Sequence, residues 1–472
     1  MEYTSINYHN HRRLIIISLF LFIIFYSLFI AALPWQQVNA SDAVLPNEHS
    51  EIEISRAEYY DRLAGFWLGQ SIANWTGLIT EMDKIGGPGI HGQFYTREDW
   101  GKPDLPSIWG QGVPSQLSDT IDWVLKKPGE VWGSDDDTDI EFIYQFLLDK
   151  HQTTRLTPKQ IQQGWLTHIY TDENTPFTNA EGQAENYLWV SNQRAHDLMH
   201  HGMLPPKTSD PLNNEHFEMI DAQLTTEIFG LFAPACPRIA LQMAYLPIRT
   251  TARENAAWAA EFYVVMHSLA LVSDSGRDRQ QQIIWMADQA RKVLPNGSYS
   301  AHMFDFIRTE YNKNTPWEEL RDKVYQNYQV KQVGGYDMTS KNLYCNGCFA
   351  SGINFAASLI SLLYGSGDYE STVKLAVLMG WDSDNPAATW GGLLGFMDGL
   401  EQLEKKFGQK LSHRFNIHRT RGNFPQKGIY TFQQMSETGL SIIDRTVSEE
   451  MSGKVDKVRN VWSIPQSEHC FN

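Results

Sequence analysis

The chain has 472 residues, of which 42% are hydrophobic and 20% are charged, and this is the composition of a globular protein with a large core. Its 55 acidic and 39 basic side chains give a formal charge of −16 at pH 7. An acidic excess of this size argues against broad nucleic-acid binding, which needs basic patches against phosphates. Four cysteines are also too few for a disulfide scaffold.

The first 40 residues have the pattern of an export signal. Arg12 and Arg13 precede an uncharged apolar run at residues 14–33, and small residues near Ala40 offer a cleavage site. The apolar run is also long enough to span a bilayer, so an uncleaved membrane anchor is the alternative. We therefore predict an exported protein, periplasmic or extracellular, in three parts: 1–40 as signal peptide or anchor, 41–54 as linker, and 55–472 as one domain.

Small residues recur along the first predicted helix of this domain. Ser55 and Glu58 have the spacing of a capping box, which predicts a helix start. Small side chains then occupy every fourth position: Gly65, Gly69, Ala73 and Gly77. This spacing places them on one helical face, where another backbone can approach closely. Glu81 follows the helix directly, and the glycine-rich stretch 86–92 predicts a loop.

An acidic run precedes the second predicted helix. Apolar residues recur at helical spacing from Ile140 onward, so the run lies in the first turn of a helix. Its first three carboxylates are Asp135, Asp136 and Asp137. Adjacent carboxylates repel one another, and the helix dipole offsets only about 0.3 to 1 kcal/mol per charge. A bound cation would offset more, although a solvated helix cap gives the same pattern.

Further helix-start signals predict a mostly helical domain. The predicted helices span residues 158–171, 252–272, 278–294, 316–328, 349–364, 369–379, 386–405 and 432–450. Strict alternation is confined to short stretches near 415–430, and long loops are predicted at 82–132 and 172–220. Cys345 and Cys348 have the spacing of half a zinc site, but no second such pair exists. A local disulfide is favoured, with two buried thiols as the alternative.

A second acidic stretch follows an apolar run near the C-terminal end. Asp382 and Asp384 are one residue apart, and Asn385 and Pro386 are residue types that favour an N-cap and the first helical position. The stretch predicts a loop that delivers two carboxylates and an amide oxygen to the positive end of a buried helix. Oxygen ligands in that arrangement suit a hard cation such as Mg²⁺ or Ca²⁺. A doubly acidic helix cap is the alternative.

If the fold brings the two acidic helix starts together, their carboxylates converge and require cations. In motif order, residues 60–400 resemble the ADP-ribosylglycohydrolase family, which includes the dinitrogenase reductase-activating glycohydrolase. The resemblance rests on the glycine-spaced helix ending near Glu81, on the early pair of aspartates, and on the late Asp-x-Asp motif. Three positions depart from the family pattern: Asn74 replaces a frequent aspartate, and Asp135 and Asn385 stand where threonine is commoner.

The resemblance implies an all-α fold, a compact orthogonal multi-helix bundle with long loops. It implies a hydrolase that cleaves an N- or O-glycosidic bond to ADP-ribose or a related ribosyl compound, acting on a small molecule or an ADP-ribosylated partner. Two metal ions are implied, Mg²⁺ with Mn²⁺ or Ca²⁺ as alternatives. The implied metal ligands are Asp135, Asp136, Asp137, Asp382, Asp384 and Asn385. The acid–base candidates are Glu81 and Asp137, and the substrate-binding candidates are Asn74, Gly87, Gly89 and His91.

Two other interpretations are open at this stage. The run at residues 135–139 also fits the Asp-Asp-x-x-Asp pattern of Mg²⁺-dependent isoprenoid synthases. In those folds the motif lies within a helix, whereas here it precedes the apolar periodicity. The other interpretation is a non-catalytic secreted module held together by Ca²⁺. Glu81 beside the carboxylates would favour an enzyme, and a fully coordinated metal would favour the structural role.

Overall fold

The structure is a computed structural model that describes residues 51–466 and 470, except for gaps at 105–117, 180–181, 273–275, 342–344 and 346. All of these residues belong to one compact unit, Asn47–Asn472. The predicted signal or anchor segment and most of the predicted linker lie outside the described residues. Among the helices that are described, none is both long and apolar enough to cross a membrane.

Helices form most of the described chain, which confirms the predicted all-α class. They are α1 (Arg56–Gly77), α2 (Asp136–His151), α3 (Pro158–His168), α4 (Val190–His200), α5 (Ile228–Phe232), α6 (Pro237–Thr251), α7 (Glu254–Ser268), α8 (Arg279–Ala290), α9 (Tyr299–Asn312), α10 (Trp317–Val324), α11 (Met338–Lys341), α12 (Ser351–Gly365), α13 (Tyr369–Val377), α14 (Asp384–Asp398), α15 (Leu400–Lys406) and α16 (Phe432–Glu449).

Short strands connect the two ends of the described chain. They are β1 (Glu51–Ser55), β2 (Arg414–Asn416), β3 (Ile429–Thr431), β4 (Lys454–Asp456) and β5 (Val461–Pro465). The first sheet has the order β1-β5-β4, and both of its pairings are antiparallel, with Ile52 opposite Ile464. Strands β2 and β3 form a separate antiparallel pair. Strand β1 leads directly into α1, so this sheet fixes the start of the central helix.

Helices α1 and α14 are packed backbone against backbone at the centre of the molecule. A methyl group on Gly65 or Gly69 would lie closer than 3.0 Å to the backbone of Gly395 or Gly391 in α14. Contacts this close leave no room for a side chain at Gly65, Gly69, Gly391 or Gly395. The predicted small-residue face of α1 is therefore confirmed, and its partner is the helix that begins with the second acidic stretch.

The ends of several helices differ from the predictions. The predicted cap at Asn385 is wrong, because α14 already begins at Asp384 and Ser383 precedes it. The predicted helix 386–405 is two helices, α14 and α15, separated at Gly399, where φ is 86°. The predicted helix 316–328 becomes a π-helix from Tyr325 to Val330.

Five α-helices of the described chain were not predicted: α4, α5, α6, α9 and α11. The predicted loop 172–220 contains α4, whose start at Trp189 has no side-chain capping bond and so carries no sequence signal. Helix α6 contains Pro247 in its interior, a residue that normally indicates a helix end. In both cases the packing of the apolar face determines the helix and local capping does not.

The described cysteines form two disulfides. Cys345 pairs with Cys348, which is the predicted local bridge. Cys236 pairs with Cys470 across 234 residues of sequence, and both side chains are buried. Sequence spacing gives no indication of which distant cysteines meet, so this second bridge was not predicted. It attaches the C-terminal end covalently to the start of α6.

Candidate functional site

The two acidic helix starts meet in the fold. Two groups of carboxylate oxygens, each within 4.8 Å of one another, form where the first turns of α2 and α14 approach. One group is Glu81, Asp382 and Asp384, and the other is Asp135, Asp137 and Asp384. Asp384 belongs to both. The predicted convergence of the two stretches is therefore present, and Glu81 joins it from the end of α1.

Backbone pairing between two turns delivers Glu81 and Asp382 to the same place. The N–H of Met82 donates to the carbonyl oxygen of Trp381 at 2.8 Å, and the N–H of Trp381 donates to that of Lys84 at 2.7 Å. Met82 and Trp381 both have left-handed backbones, with φ of 58° and 57°. Residues other than glycine rarely adopt this backbone conformation, so the surrounding structure must hold both turns in place.

Burial dominates the electrostatics of these carboxylates. Burial, followed by the neighbouring Asp136, raises the pKa of Glu81 and of Asp135 to about 8. Burial also places the pKa values of Asp382 and Asp384 well above the ordinary value, with Glu81 adding to the effect. Without a cation the group therefore holds protons near neutral pH, because desolvated like charges cannot all ionise.

The donor set fits a hard divalent cation. Every group in the two triads is a carboxylate, and oxygen ligands are what Mg²⁺ and Ca²⁺ prefer. Asp384 Oδ1 is buried without a hydrogen-bond donor among the described residues. Asp384 is the residue common to both triads, and a buried oxygen without a donor is expected where a metal ion would bind.

Asp135 and Asp136 differ in their surroundings. Asp135 caps α2, since its Oδ1 accepts from the N–H of Asp137 at 3.2 Å. Asp136 lies in neither triad. Burial raises the pKa of Asp136 only to about 6, because the guanidinium of Arg421 lowers it. Asp135 thus caps the helix, as the alternative interpretation of the acidic run expected. It also belongs to one of the two triads.

Two asparagines hold the carboxylates in place. Asn385 Nδ2 donates to Asp137 Oδ1 at 3.1 Å, and Asn385 Oδ1 accepts from Gln223 Nε2 at 3.2 Å. Asn74 Nδ2 donates to Asp135 Oδ2 at 3.1 Å, and its own Oδ1 is buried without a partner among the described residues. Both amides therefore touch a carboxylate of the group, and the predicted roles of Asn385 as a ligand and Asn74 in substrate binding stay predictions.

The predicted substrate loop lies beside Glu81 in the chain and is closed on itself. The carbonyl oxygen of His91 accepts from the N–H of Gly86 at 3.1 Å, and His91 Nδ1 lies 2.9 Å from the carbonyl oxygen of Asp83. The N–H of Gly87 donates to the Tyr325 hydroxyl at 2.8 Å. A side chain on Gly89 would meet open space. Among the described residues, no hydrogen bond joins Gly87, Gly89 or His91 to the carboxylates of the two triads.

Sequence analysis missed a charged residue behind the acidic run. Arg421 Nε lies 2.7 Å from Asp139 Oδ2, and both side chains are fully buried. Arg421 also donates to the backbone oxygens of Asn186 and Tyr187 at 2.8 and 3.1 Å. Asp139 was visible as part of the acidic run, but Arg421 lies in a segment without a motif. Only the fold shows that the two meet.

The family model for ADP-ribosylglycohydrolases matches residues 55–432. A solved structure described as an ADP-ribosylglycohydrolase-related protein complex is similar at a TM-score of 0.45 and 17% identity. The similarity covers 82% of this chain and 98% of that one. No curated protein matches the chain.

Proposed function

The chain belongs to the ADP-ribosylglycohydrolase family, and on this premise we propose that it is a metal-dependent hydrolase of an N- or O-glycosidic bond to ADP-ribose or a related ribosyl compound. Family membership supports a glycosyl hydrolase in general. The finer proposal is carried by one observation, the two carboxylate triads that share Asp384. Buried carboxyl groups in this number can all be ionised at neutral pH only when cations balance their charge.

Two metal ions, Mg²⁺ with Mn²⁺ or Ca²⁺ as alternatives, would be held by the two triads. Asp135 and Asp137 would hold one ion, Asp382 the other, and Asp384 both. Asp136 and Asn385 would complete the ligand set, directly or through water. When bound, the ions supply charge neutralisation and Lewis-acid polarisation. The chain's own part is to fix the ligands on the starts of α2 and α14, of which α14 is held by its close packing against α1.

Glu81 is the proposed acid–base residue. It is half-buried, it stands at the edge of one triad, and its pKa is raised to about 8 by burial and by the carboxylates beside it. That value belongs to the site without metal ions, and bound cations would lower it, so that Glu81 would be ionised and able to accept a proton from water. In the proposed reaction, water forms a bond to the anomeric carbon while the bond to the leaving group breaks. The water proton passes to Glu81 or Asp137, and the leaving group takes up a proton.

Asn74 and the loop at 86–92 are the proposed substrate-binding elements. The unpartnered amide oxygen of Asn74 lies next to a cluster carboxylate, where it could accept from a ribose hydroxyl. The carboxylates themselves repel a diphosphate, so backbone N–H groups of Gly87 and Gly89, together with His91, would have to bind it. The proximity of this loop to Glu81 in the chain supports the assignment.

Export is the proposed localisation. The N-terminal pattern favours a signal peptide or a membrane tether through residues 14–33, and the two disulfides suit an oxidising compartment. The partner would then be a small-molecule or ADP-ribosylated substrate met outside the cytosol. The net charge of −16 leaves nucleic acid an unfavourable partner.

The position of Glu81 favours an enzyme over the non-catalytic Ca²⁺ module. A structural site needs only ligands, whereas Glu81 is a half-buried carboxyl group that shares a triad with two metal-ligand candidates. The isoprenoid-synthase interpretation is further weakened because the acidic run lies at the start of α2 and the chain matches another family.

Calorimetric titration of ADP-ribose, with and without Mg²⁺, tests the proposed function. We expect Mg²⁺-dependent binding in the wild type and none in Asp382→Asn. Glu437→Gln, which removes the same charge from an exposed position on α16, is the matched control and should bind normally. Metal binding without ADP-ribose affinity would reject the substrate, and absence of metal binding would reject the whole proposal.

A further inference from the structure

A second pair of buried carboxyl groups lies one helical turn beyond the metal-ligand candidates. Glu141 follows Asp137 by one turn in α2. Glu227 immediately precedes α5 and contacts Thr389, which follows Asn385 by one turn in α14. Both glutamates are at most 1% exposed. The pair therefore lies between the two helices that carry the acidic starts.

Hydrogen bonds to the two glutamates come from three directions. Glu141 Oε1 accepts from the N–H of Ile228 at 2.8 Å, and Glu141 Oε2 accepts from Gln70 Nε2 of α1 at 2.6 Å. Glu227 Oε1 accepts from the Thr389 hydroxyl at 3.0 Å. Glu227 Oε2 is buried and has no donor among the described residues. Of the four carboxyl oxygens, Glu227 Oε2 is therefore the one without a hydrogen-bond donor in the described chain.

A proton between the two carboxyl groups would supply the missing hydrogen bond. The carboxyl groups of Glu141 and Glu227 are within hydrogen-bonding reach of each other. Two ionised carboxylates cannot form that bond, and a buried pair of negative charges at this separation is strongly unfavourable. A single proton between them removes one charge and gives Glu227 Oε2 its bond. Such pairs titrate as a unit, with one proton retained over a wide pH range.

We propose that Glu141 and Glu227 share one proton, and that this shared proton joins α2 to α14 so that Asp137 and Asp384 stay within reach of a common ion. The two glutamates are positioning residues, since neither belongs to a triad. The inference rests on the metal site of the proposed function, but the shared proton itself does not depend on the metal.

The remaining groups that face the pair are neutral. From α7, the Tyr263 hydroxyl lies 2.6 Å from Ser358 Oγ, and His267 Nδ1 lies 2.8 Å from the carbonyl oxygen of Tyr263. Burial raises the pKa of Tyr263, and it lowers the pKa of His267 to about 4, so both are uncharged at neutral pH. Gln70 from α1 and Thr389 from α14 carry no charge. Because none of these neighbours carries a positive charge, only a proton is left to reduce the negative charge of the pair.

Isotope-edited infrared spectroscopy of the full chain tests for the proton directly. With glutamate labelled at the side-chain carboxyl carbon, we expect the wild type to show the carbonyl band of a protonated glutamic acid at pH 7. Glu227→Gln should lose the band of the shared proton and keep the band of Glu81, whose pKa is also raised to about 8. Glu437→Gln should keep both bands. If the spectra of the wild type and Glu227→Gln show the same protonated glutamate bands, the shared proton is rejected.

The positioning role is tested with Mn²⁺ as the probe. In Glu227→Gln the new amide can donate to Glu141, so Mn²⁺ affinity should stay within about twofold of wild type. Glu227→Leu offers no donor and should weaken Mn²⁺ binding at least tenfold. Equal affinity in both variants would overturn the positioning role. If Glu227→Leu does not fold, the infrared result still decides the shared proton. If the wild type binds no Mn²⁺, the proposed function fails, and the infrared result stands separately.

Discussion

Gly77 lies directly against Asp384: a methyl group on Gly77 would be closer than 3.0 Å to the Cα and Cβ of Asp384. The absence of a side chain on Gly77, the last residue of α1, thus determines how closely Asp384, the first residue of α14, can approach α1. Asp384 is the carboxylate that both triads share, so the small side chain at position 77 is a requirement of the site as much as of the helix packing.

Gly77→Ala should therefore damage the metal site and the fold together. Insertion of a methyl group into this contact should lower the free energy of unfolding by about 1 to 3 kcal/mol, and Mn²⁺ binding should weaken at least tenfold. Calorimetry and thermal unfolding measure the two effects. Gly297→Ala is the control, because a Cβ there meets nothing within 4 Å. Wild-type Mn²⁺ affinity in Gly77→Ala would show that the contact does not position Asp384.

Asp384 and Asp136 should differ in their importance for metal binding. Asp384→Asn removes the charged ligand common to both triads and should abolish measurable Mg²⁺ binding by calorimetry. Asp136→Asn, outside the triads and beside Arg421, should weaken it by about 10- to 100-fold at most, as for residues that orient ligands. A larger loss in Asp136→Asn than in Asp384→Asn would contradict the triad geometry.

The metal-free protein should lose stability as pH rises. Glu81 and Asp135 have pKa values raised to about 8, above their ordinary values near 4, so the folded chain binds more protons than the unfolded chain between these limits. Stability conferred by these groups is present at low pH and declines from about pH 4 to pH 8.

Thermal unfolding in EDTA and in Mg²⁺ measures this linkage. The Tm in EDTA should fall between pH 5 and pH 8, and the increase caused by Mg²⁺ should be greater at pH 8, where the carboxylates have released their protons. Asp135→Asn should reduce the pH slope in EDTA. A Mg²⁺ effect that is larger at pH 5 than at pH 8 would be the wrong sign for this site.

Arg421→Met should be strongly destabilising because it leaves Asp139 buried and unpaired. Loss of one partner from a buried pair lowers the free energy of unfolding by about 3 to 5 kcal/mol. The double variant Arg421→Met with Asp139→Leu should recover much of this loss, since it removes both charges. Denaturant unfolding of the wild type, both single variants and the double variant gives the coupling energy. Additive effects would show that the pair is not coupled.

Local sequence patterns predicted the parts of the site that depend on local geometry. The spacing of Gly65 and Gly69 predicted a close helix contact, and the aspartates at two helix starts predicted convergent carboxylates. These inferences hold because helical periodicity fixes which residues share a face. The pattern could not name the partner helix, which is a tertiary property.

Long-range partners account for what the sequence could not predict. Ser383 precedes α14, and its hydroxyl lies 3.1 Å from the Gly77 carbonyl oxygen and 2.9 Å from the Thr80 hydroxyl, so it does not cap the helix. Asn385, which has the residue type of a cap, instead reaches across to Asp137. Tertiary hydrogen bonds thus replaced the local ones that capping rules assume. The ion pair of Arg421 with Asp139 is likewise a long-range contact that local sequence patterns do not indicate.

The antiparallel pairing of β1 with β5 also has a consequence for the order of folding. Strand β1 leaves the ribosome before its partner strand at residues 461–465 has been made. The Cys236–Cys470 bridge likewise cannot form before residue 470 has been made. Until residues 461–465 have been synthesised, residues 51–55 have no native partner and present unpaired backbone groups to other chains. Closure of this sheet is therefore a late step, and truncation at residue 432, where the family match ends, would leave β1 without its partner.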